Sequence, residues 1–137
     1  MIAHVAIYKM GAIALPLALL FGEEALEYRL RDAGAKVIVT NGFGLARLKT
    51  LRARLPALQK VISIEGAGPD VIGFHAMIEG RPDVFEIAES GPDTPALMIY
   101  TSGTTGPPKG VMRQTPIILL PQREGGLCNY RDGDLGL

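Results

Sequence analysis

The segment Glu23–Thr40, EEALEYRLRDAGAKVIVT, decides the fold class, because a helical and an extended pattern meet inside it. Leu26, Leu30 and Ala33 recur at helical spacing and make one apolar stripe over Glu23–Ala33. Glu23 and Glu24 lie where the positive end of the helix dipole favours carboxylates, and Glu27 and Arg31 stand one turn apart as an ion pair. Gly34 is suited to the left-handed residue that closes such a helix. Lys36-Val37-Ile38-Val39-Thr40 then runs apolar without alternation, the pattern of a strand covered on both faces in a parallel sheet.

The same reading extends in both directions. Asn41-Gly42 predicts a turn, and Leu45, Leu48, Leu51 and Leu55 a second helix that Pro56 must stop. Val61–Ile64 is a short apolar strand, Gly66–Asp70 a loop, Phe74–Ile78 a brief helix and Gly80–Asp83 a turn. Ser90–Pro95 is loop chemistry leading into the apolar strand Ala96–Tyr100. Upstream, Ala3–Met10 has helical spacing, Gly11 ends it, and Ala12–Leu17 reads as a short buried strand. Strands alternating with helices over short connections predict an α/β fold, a mainly parallel sheet flanked by helices.

Composition narrows the classes. The 137 residues fit one modest domain. With 47% apolar and 20% charged residues, wholesale disorder is excluded. Lys+Arg and Asp+Glu balance at 14 each, and Trp is absent, so neither a charged groove nor an aromatic platform points to nucleic acid. A single cysteine, Cys128, has no disulfide partner and no zinc-ligand spacing, so a cytoplasmic setting is expected. Met10–Phe21 is apolar but interrupted by Pro16; it is shorter than the roughly 20 residues a spanning helix needs. It also lacks a small-residue cleavage site after a basic start. A buried helix and strand account for it better.

The chemistry concentrates in Tyr100–Gly110, YTSGTTGPPKG. Ser102, Thr104 and Thr105 carry hydroxyls that can donate to anionic oxygens. Gly103 and Gly106 permit backbone conformations that turn successive N–H groups toward one anion. Lys109 adds a positive charge, and Pro107-Pro108 stiffen its approach. No acidic residue interrupts the run. The run departs from a Walker loop, since Lys109 is followed by Gly110 instead of Ser or Thr and two prolines disfavour entry into a helix. The plain alternative is a hydroxyl-rich turn between two strands, which has no need of the lysine and both prolines together.

This run resembles the signature of the adenylate-forming (AMP-binding) superfamily: acyl-CoA synthetases, luciferases and peptide-synthetase adenylation domains. Their loop reads Y-T-S-G-T-T-G-x-P-K-G, and Tyr100–Gly110 matches every fixed position. Ala6–Ala12, Leu15-Pro16-Leu17 and Glu24–Asn41 are also similar to the family's course before the loop, with a texture nearest synthetases acting on acetate, medium-chain or aromatic acids. The resemblance implies an incomplete portion of the family's large N-terminal domain, over residues 1–112. It implies a ligase that joins a small-molecule carboxylic acid to coenzyme A at the expense of ATP, with Mg2+. Thr101, Ser102, Gly103, Thr104, Thr105 and Gly106 would hold the β- and γ-phosphates, and Lys109 would help to orient them.

Other family motifs are not in this sequence. There is no Tyr-Gly-x-Thr-Glu, and no late lysine placed to bridge carboxylate and ribose. No residue is therefore assigned a catalytic role, and the chain alone is expected to lack turnover. After Met112 the family's helix with its Thr-His or Ala-His start is replaced by RQTPIILLP and a Gly-rich end, so residues 113–137 are expected to be an atypical tail. A frameshift or abnormal gene junction near Arg113 is the leading explanation. Tyr130–Gly136, YRDGDLG, is similar to the family's Y-R-T-G-D-L-G, but Asp132 replaces threonine and the segment follows the loop too soon, so chance similarity is preferred over an internal deletion.

Two readings from other classes stay beside the ligase. One is a non-catalytic remnant whose uncovered apolar faces favour self-association or pairing with a complementary chain. The other is a small nucleotide-phosphate-binding module. Arg47, Lys49, Arg52, Arg54 and Lys60 are expected to be a solvated basic face, His4 and His75 packing or surface residues, and Tyr8 a core residue. No nucleophilic role is assigned to Cys128.

Overall fold

The structure, a computed structural model, describes residues 2–102 and 106–114, and the chain divides into two compact units. The predictions for Gly103, Thr104, Thr105, Cys128 and the Tyr130–Gly136 segment lie outside the described residues.

One unit comprises residues 16–86 and 100–110. Helix α2, Glu23–Asp32, follows an N-cap at Gly22 and ends at Ala33, with Gly34 at φ 58° as its left-handed successor. Glu27 accepts from Arg31 at 3.5 Å, the expected pair, and from Arg54 at 2.8 Å. Strand β1, Val37–Thr40, runs parallel to β2, Lys60–Ser63, with Ile38 opposite Val61 and Val39 opposite Ile62. The intervening helix α3, Gly42–Leu51, supplies the crossover that parallel pairing requires. A short 3-10 turn, Arg52–Arg54, brings the chain to Pro56, where the helical pattern stops. Beyond β2, Ile72–Gly73 forms β3, paired parallel to β2, and Phe74–Ile78 forms helix α4 as expected.

The core of this unit is built from one face of α2 and one face of α3. Leu26 and Leu30 of α2 pack with Leu48 and Leu51 of α3, and Leu55, Leu58 and Val61 close the cluster. Leu26, Leu30, Leu48, Leu51 and Leu55 are among the residues that the helical spacing selected, and Leu45, selected with them, is partly buried against the cluster. Asn41-Gly42 is not a free turn: Asn41 is the N-cap of α3 and its side chain accepts from the Gly44 N–H at 3.1 Å, while Glu65 accepts from the Gly42 N–H at 3.0 Å. A carboxylate there satisfies an otherwise orphan donor and faces the positive end of the helix. Asn41→Ala is expected to lower stability by about 1 kcal/mol and Asn41→Ser to retain most of it, measured by urea denaturation.

Strand β1 departs from expectation. Its alternate residues Val37 and Val39 are 49% and 36% exposed, so one of its faces is uncovered among the described residues. Continuous apolar sequence reports a strand that has apolar surface on both sides, whatever covers it.

The other unit comprises residues 1–15, 87–99 and 111–137. Helix α1, Ile2–Lys9, has no buried residue, so Tyr8 is half-buried rather than core. Its ring meets His4 edge-on at 6.0 Å between centroids. Gly11, at φ 66°, ends the helical turn as expected. Ala12–Leu17 is not a strand. It makes a single parallel bridge, in which the Ala14 N–H donates to the Ala96 carbonyl at 2.9 Å and the Met98 N–H to the Ala14 carbonyl at 2.8 Å. Pro16 removes the next donor and confines the pairing to that point.

Strand β4, Pro95–Thr101, pairs with β5, Lys109–Gln114. The second of these had no counterpart in the sequence reading, because Lys109, Gly110, Arg113 and Gln114 obscure its extended pattern.

Candidate functional site

The glycine-rich run is carried between two paired strands. Thr101 is the last residue of β4 and Lys109 the first of β5, so the sheet fixes where the loop leaves and where it returns. Thr101, Ser102 and Lys109 are exposed, which leaves two hydroxyls and an ammonium open to a ligand. Gly106 has φ 105°, a conformation that an L side chain rarely adopts, and no atom of the described residues would crowd an added Cβ. Its glycine is therefore required by backbone conformation rather than by space. Of the seven residues expected to hold phosphate, these four are described, and Gly103, Thr104 and Thr105 lie outside.

Tyr100, the residue that opens the loop, is tied to helix α2. Its hydroxyl donates to Asp32 Oδ2 at 2.6 Å and lies 3.4 Å from the Arg29 carbonyl oxygen. The Tyr28 ring meets it edge-on at 6.4 Å, and the Arg29 guanidinium stands 5.6 Å from its ring centre. Burial, the hydrogen bond to Asp32 and that carboxylate's charge push the Tyr100 phenol well above its ordinary range, against a smaller opposing effect of Arg29.

Arg29 is 9% exposed, and its other neighbour is the Phe21 ring, 4.2 Å from the guanidinium. Its Nη1 donates to the Ala25 carbonyl at 2.7 Å, whereas Nε is buried with no hydrogen-bond partner among the described residues. Two aromatic faces thus replace a carboxylate as the surroundings of a buried cation.

The basic residues are corrected at three positions. Arg47 donates to the Leu19 carbonyl at 2.7 Å and to the Phe21 carbonyl, and Arg52 donates to the Leu58 carbonyl at 2.7 Å. Arg54 pairs with Glu27 at 2.8 Å. They hold connecting segments to helices instead of forming an idle solvated face.

The AMP-binding enzyme family matches residues 1–119. This chain belongs to that family. The benzoate–CoA ligase of Thauera aromatica is 31% identical over 104 residues, covering 76% of this chain and 19% of that protein. The acetyl-coenzyme A synthetase of Bacillus subtilis is 36% identical over 107 residues, covering 76% and 18%. A crystal structure of the anthranilate CoA ligase AuaEII in complex with anthranoyl-AMP superposes with a TM-score of 0.80 at 32% identity, over 87% of this chain and 23% of that one. The chain therefore spans about a fifth of the length of the curated AMP-binding relatives it matches. The adenylate-forming fold expected from the loop is the fold these neighbours share.

Among the described residues no group of three or more His, Cys, Asp or Glu side chains gathers that could hold a metal ion. The exposed Thr101 and Ser102 hydroxyls and the Lys109 ammonium are donors of the kind that phosphate oxygens accept. No described helix is long and apolar enough to cross a membrane.

Proposed function

We propose that this chain is the phosphate-gripping portion of an ATP-dependent carboxylate–CoA ligase. In that reaction class a substrate carboxylate attacks the α-phosphate of ATP, pyrophosphate leaves, and the coenzyme A thiol then displaces AMP to give a thioester. Such chemistry depends chiefly on positioning and on neutralising charge. Thr101–Gly106 hold the β- and γ-phosphates and Lys109 orients them.

The observation that carries this reading is the loop itself. All ten fixed positions of the eleven-residue family signature are matched, exposed hydroxyls stand at one end of the loop and an exposed lysine at the other, and paired strands carry both. A lysine near a triphosphate acts as a mobile point charge, so its removal weakens the grip without altering the fold. Lys109→Ala is expected to weaken ATP binding by about ten-fold in a nucleotide titration of the full chain. Unchanged affinity removes the loop from the reading.

Residues 1–112 are the part that carries this function, and the compartment is cytoplasmic. The chain alone is expected to bind without turning over. Incubation with ATP, candidate acids and labelled pyrophosphate tests this, since robust ATP–pyrophosphate exchange would show that the chain is self-sufficient. The acids named for relatives, acetate, benzoate and anthranilate, set the class to try first.

A further inference from the structure

Asp32 occupies a position that helix electrostatics disfavours. It is the last residue of α2, where the unsatisfied carbonyls form the negative end of the dipole and a cation is preferred. A carboxylate retained against a local preference calls for a partner elsewhere in the fold. The Tyr100 hydroxyl, 2.6 Å away and 68 residues along the chain, is that partner.

Tyr100 is held on two further sides. Its ring packs over the Arg29 guanidinium and against the Tyr28 ring, and both of those residues lie on the last turns of α2. Arg29 is itself fixed from behind, by the Phe21 ring at 4.2 Å and by the Ala25 carbonyl at 2.7 Å. Phe21 in turn has its carbonyl held by Arg47 of α3. The contacts run without a gap from α3 through Phe21 and Arg29 to the residue that precedes Thr101. A hydroxyl donating to a carboxylate is directional, and an aromatic ring confined between a cation and a second ring has little rotational freedom.

We propose that Asp32, with Arg29 beneath the ring, is a positioning residue for the phosphate loop. By clamping Tyr100 it fixes the direction in which Thr101 and Ser102 leave β4, so that their hydroxyls and amides are pre-set before nucleotide arrives. The proposal deepens the phosphate-gripping reading and rests on it for its effect on ATP, but the clamp acts on the free chain as well. The value of such a clamp is entropic: a loop whose entry is already ordered loses less freedom when it closes on an anion.

The test combines two measurements on the full chain carrying Tyr100→Phe, Asp32→Ala, Asp32→Asn or Lys109→Ala. Hydrogen exchange without nucleotide is read at Thr101 and Ser102, with Val61 and Ile62 of β2 as internal reference; ATP affinity is read by titration. Tyr100→Phe removes only the hydroxyl and keeps the ring over Arg29. It and Asp32→Ala are each expected to speed exchange at Thr101 and Ser102 by about ten-fold while Val61 and Ile62 stay protected, and to weaken ATP by a similar factor. Asp32→Asn, which still offers an acceptor oxygen, is expected to lie near wild type. The double variant Tyr100→Phe/Asp32→Ala should be no worse than either single one, because both break the same bond.

Exchange at Thr101 and Ser102 that is unchanged in Tyr100→Phe and Asp32→Ala overturns the clamp. So does faster exchange that spreads equally to Val61 and Ile62, which would make the bond a general support of the fold. If Lys109→Ala weakens ATP while the clamp variants leave it unchanged, the phosphate reading stands and the positioning role falls. If wild type binds no ATP, the phosphate reading falls, and exchange at Thr101 and Ser102 still decides whether the clamp exists.

Discussion

Leu51→Ala is expected to lower the stability of this chain by about 3 kcal/mol, the cost typical of truncating a fully enclosed leucine. Leu51 has 0% exposure and sits at the centre of the leucine cluster that joins α2, α3 and β2. Removing its branched end forfeits the transfer of its methyl groups from water and leaves a cavity within the leucine cluster. The unit around it is small, and small domains bury a lesser share of their surface and stand closer to unfolding. A loss of that size is therefore expected to shift the urea midpoint far enough to populate unfolded chain without denaturant. Val39→Ala is the matched control. Val39 lies on the uncovered face of β1, and its truncation is expected to cost about 0.5 kcal/mol or less. Far-UV circular dichroism across a urea series reads both. Equal midpoints for the two variants would mean that Leu51 is not the keystone its burial indicates.

That contrast shows what was legible in the sequence. Leu45, Leu48 and Leu51 declared a helix and its inward face, because helical spacing reports which residues share a side; its end came earlier than Pro56 announced, at Leu51, where a 3-10 turn carries the chain to a non-helical Leu55. Val37-Ile38-Val39 declared a strand, but not which of its faces would be covered. Coverage depends on neighbouring elements, and a residue's own hydropathy says nothing of those. Ile72–Gly73 was missed because two residues are too few to show a period, and Lys109–Gln114 because Lys109 and Gly110 in its first two places interrupt the apolar pattern.

The candidate site divides the same way. The residues proposed to face phosphate stand in one short run of hydroxyls, glycines and a cation, a local pattern that a sequence displays directly. Asp32 and Arg29 were not, since their partner is distant in sequence; Asp32 left only the weak signal of a carboxylate at the wrong end of a helix.

The bond between Asp32 and Tyr100 also predicts how stability depends on pH. The fold raises the Tyr100 phenol above its ordinary range, through burial first and then the Asp32 carboxylate, whereas an unfolded tyrosine titrates near about 10. Below that value the phenol is protonated in both states and the whole contribution of the bond is present. As pH rises past it, the unfolded chain releases a proton that the folded chain still holds. Fewer protons bound in the unfolded state make stability fall with rising pH, and the fall continues until the folded phenol itself ionises. Tyr100→Phe has no proton to lose at this position. Wild type is therefore expected to be the more stable protein at pH 8, by about 1 kcal/mol, and to lose that advantage between about pH 10 and 12, where Tyr100→Phe overtakes it. Comparing the two proteins at each pH cancels the lysines and Tyr8, whose own phenol is raised by burial, because both chains carry them alike. Thermal melts at half-unit intervals from pH 8 to 12 make the comparison. Curves that stay parallel over the whole range would mean that Tyr100 titrates as freely in the fold as outside it, and that Asp32 does not hold it.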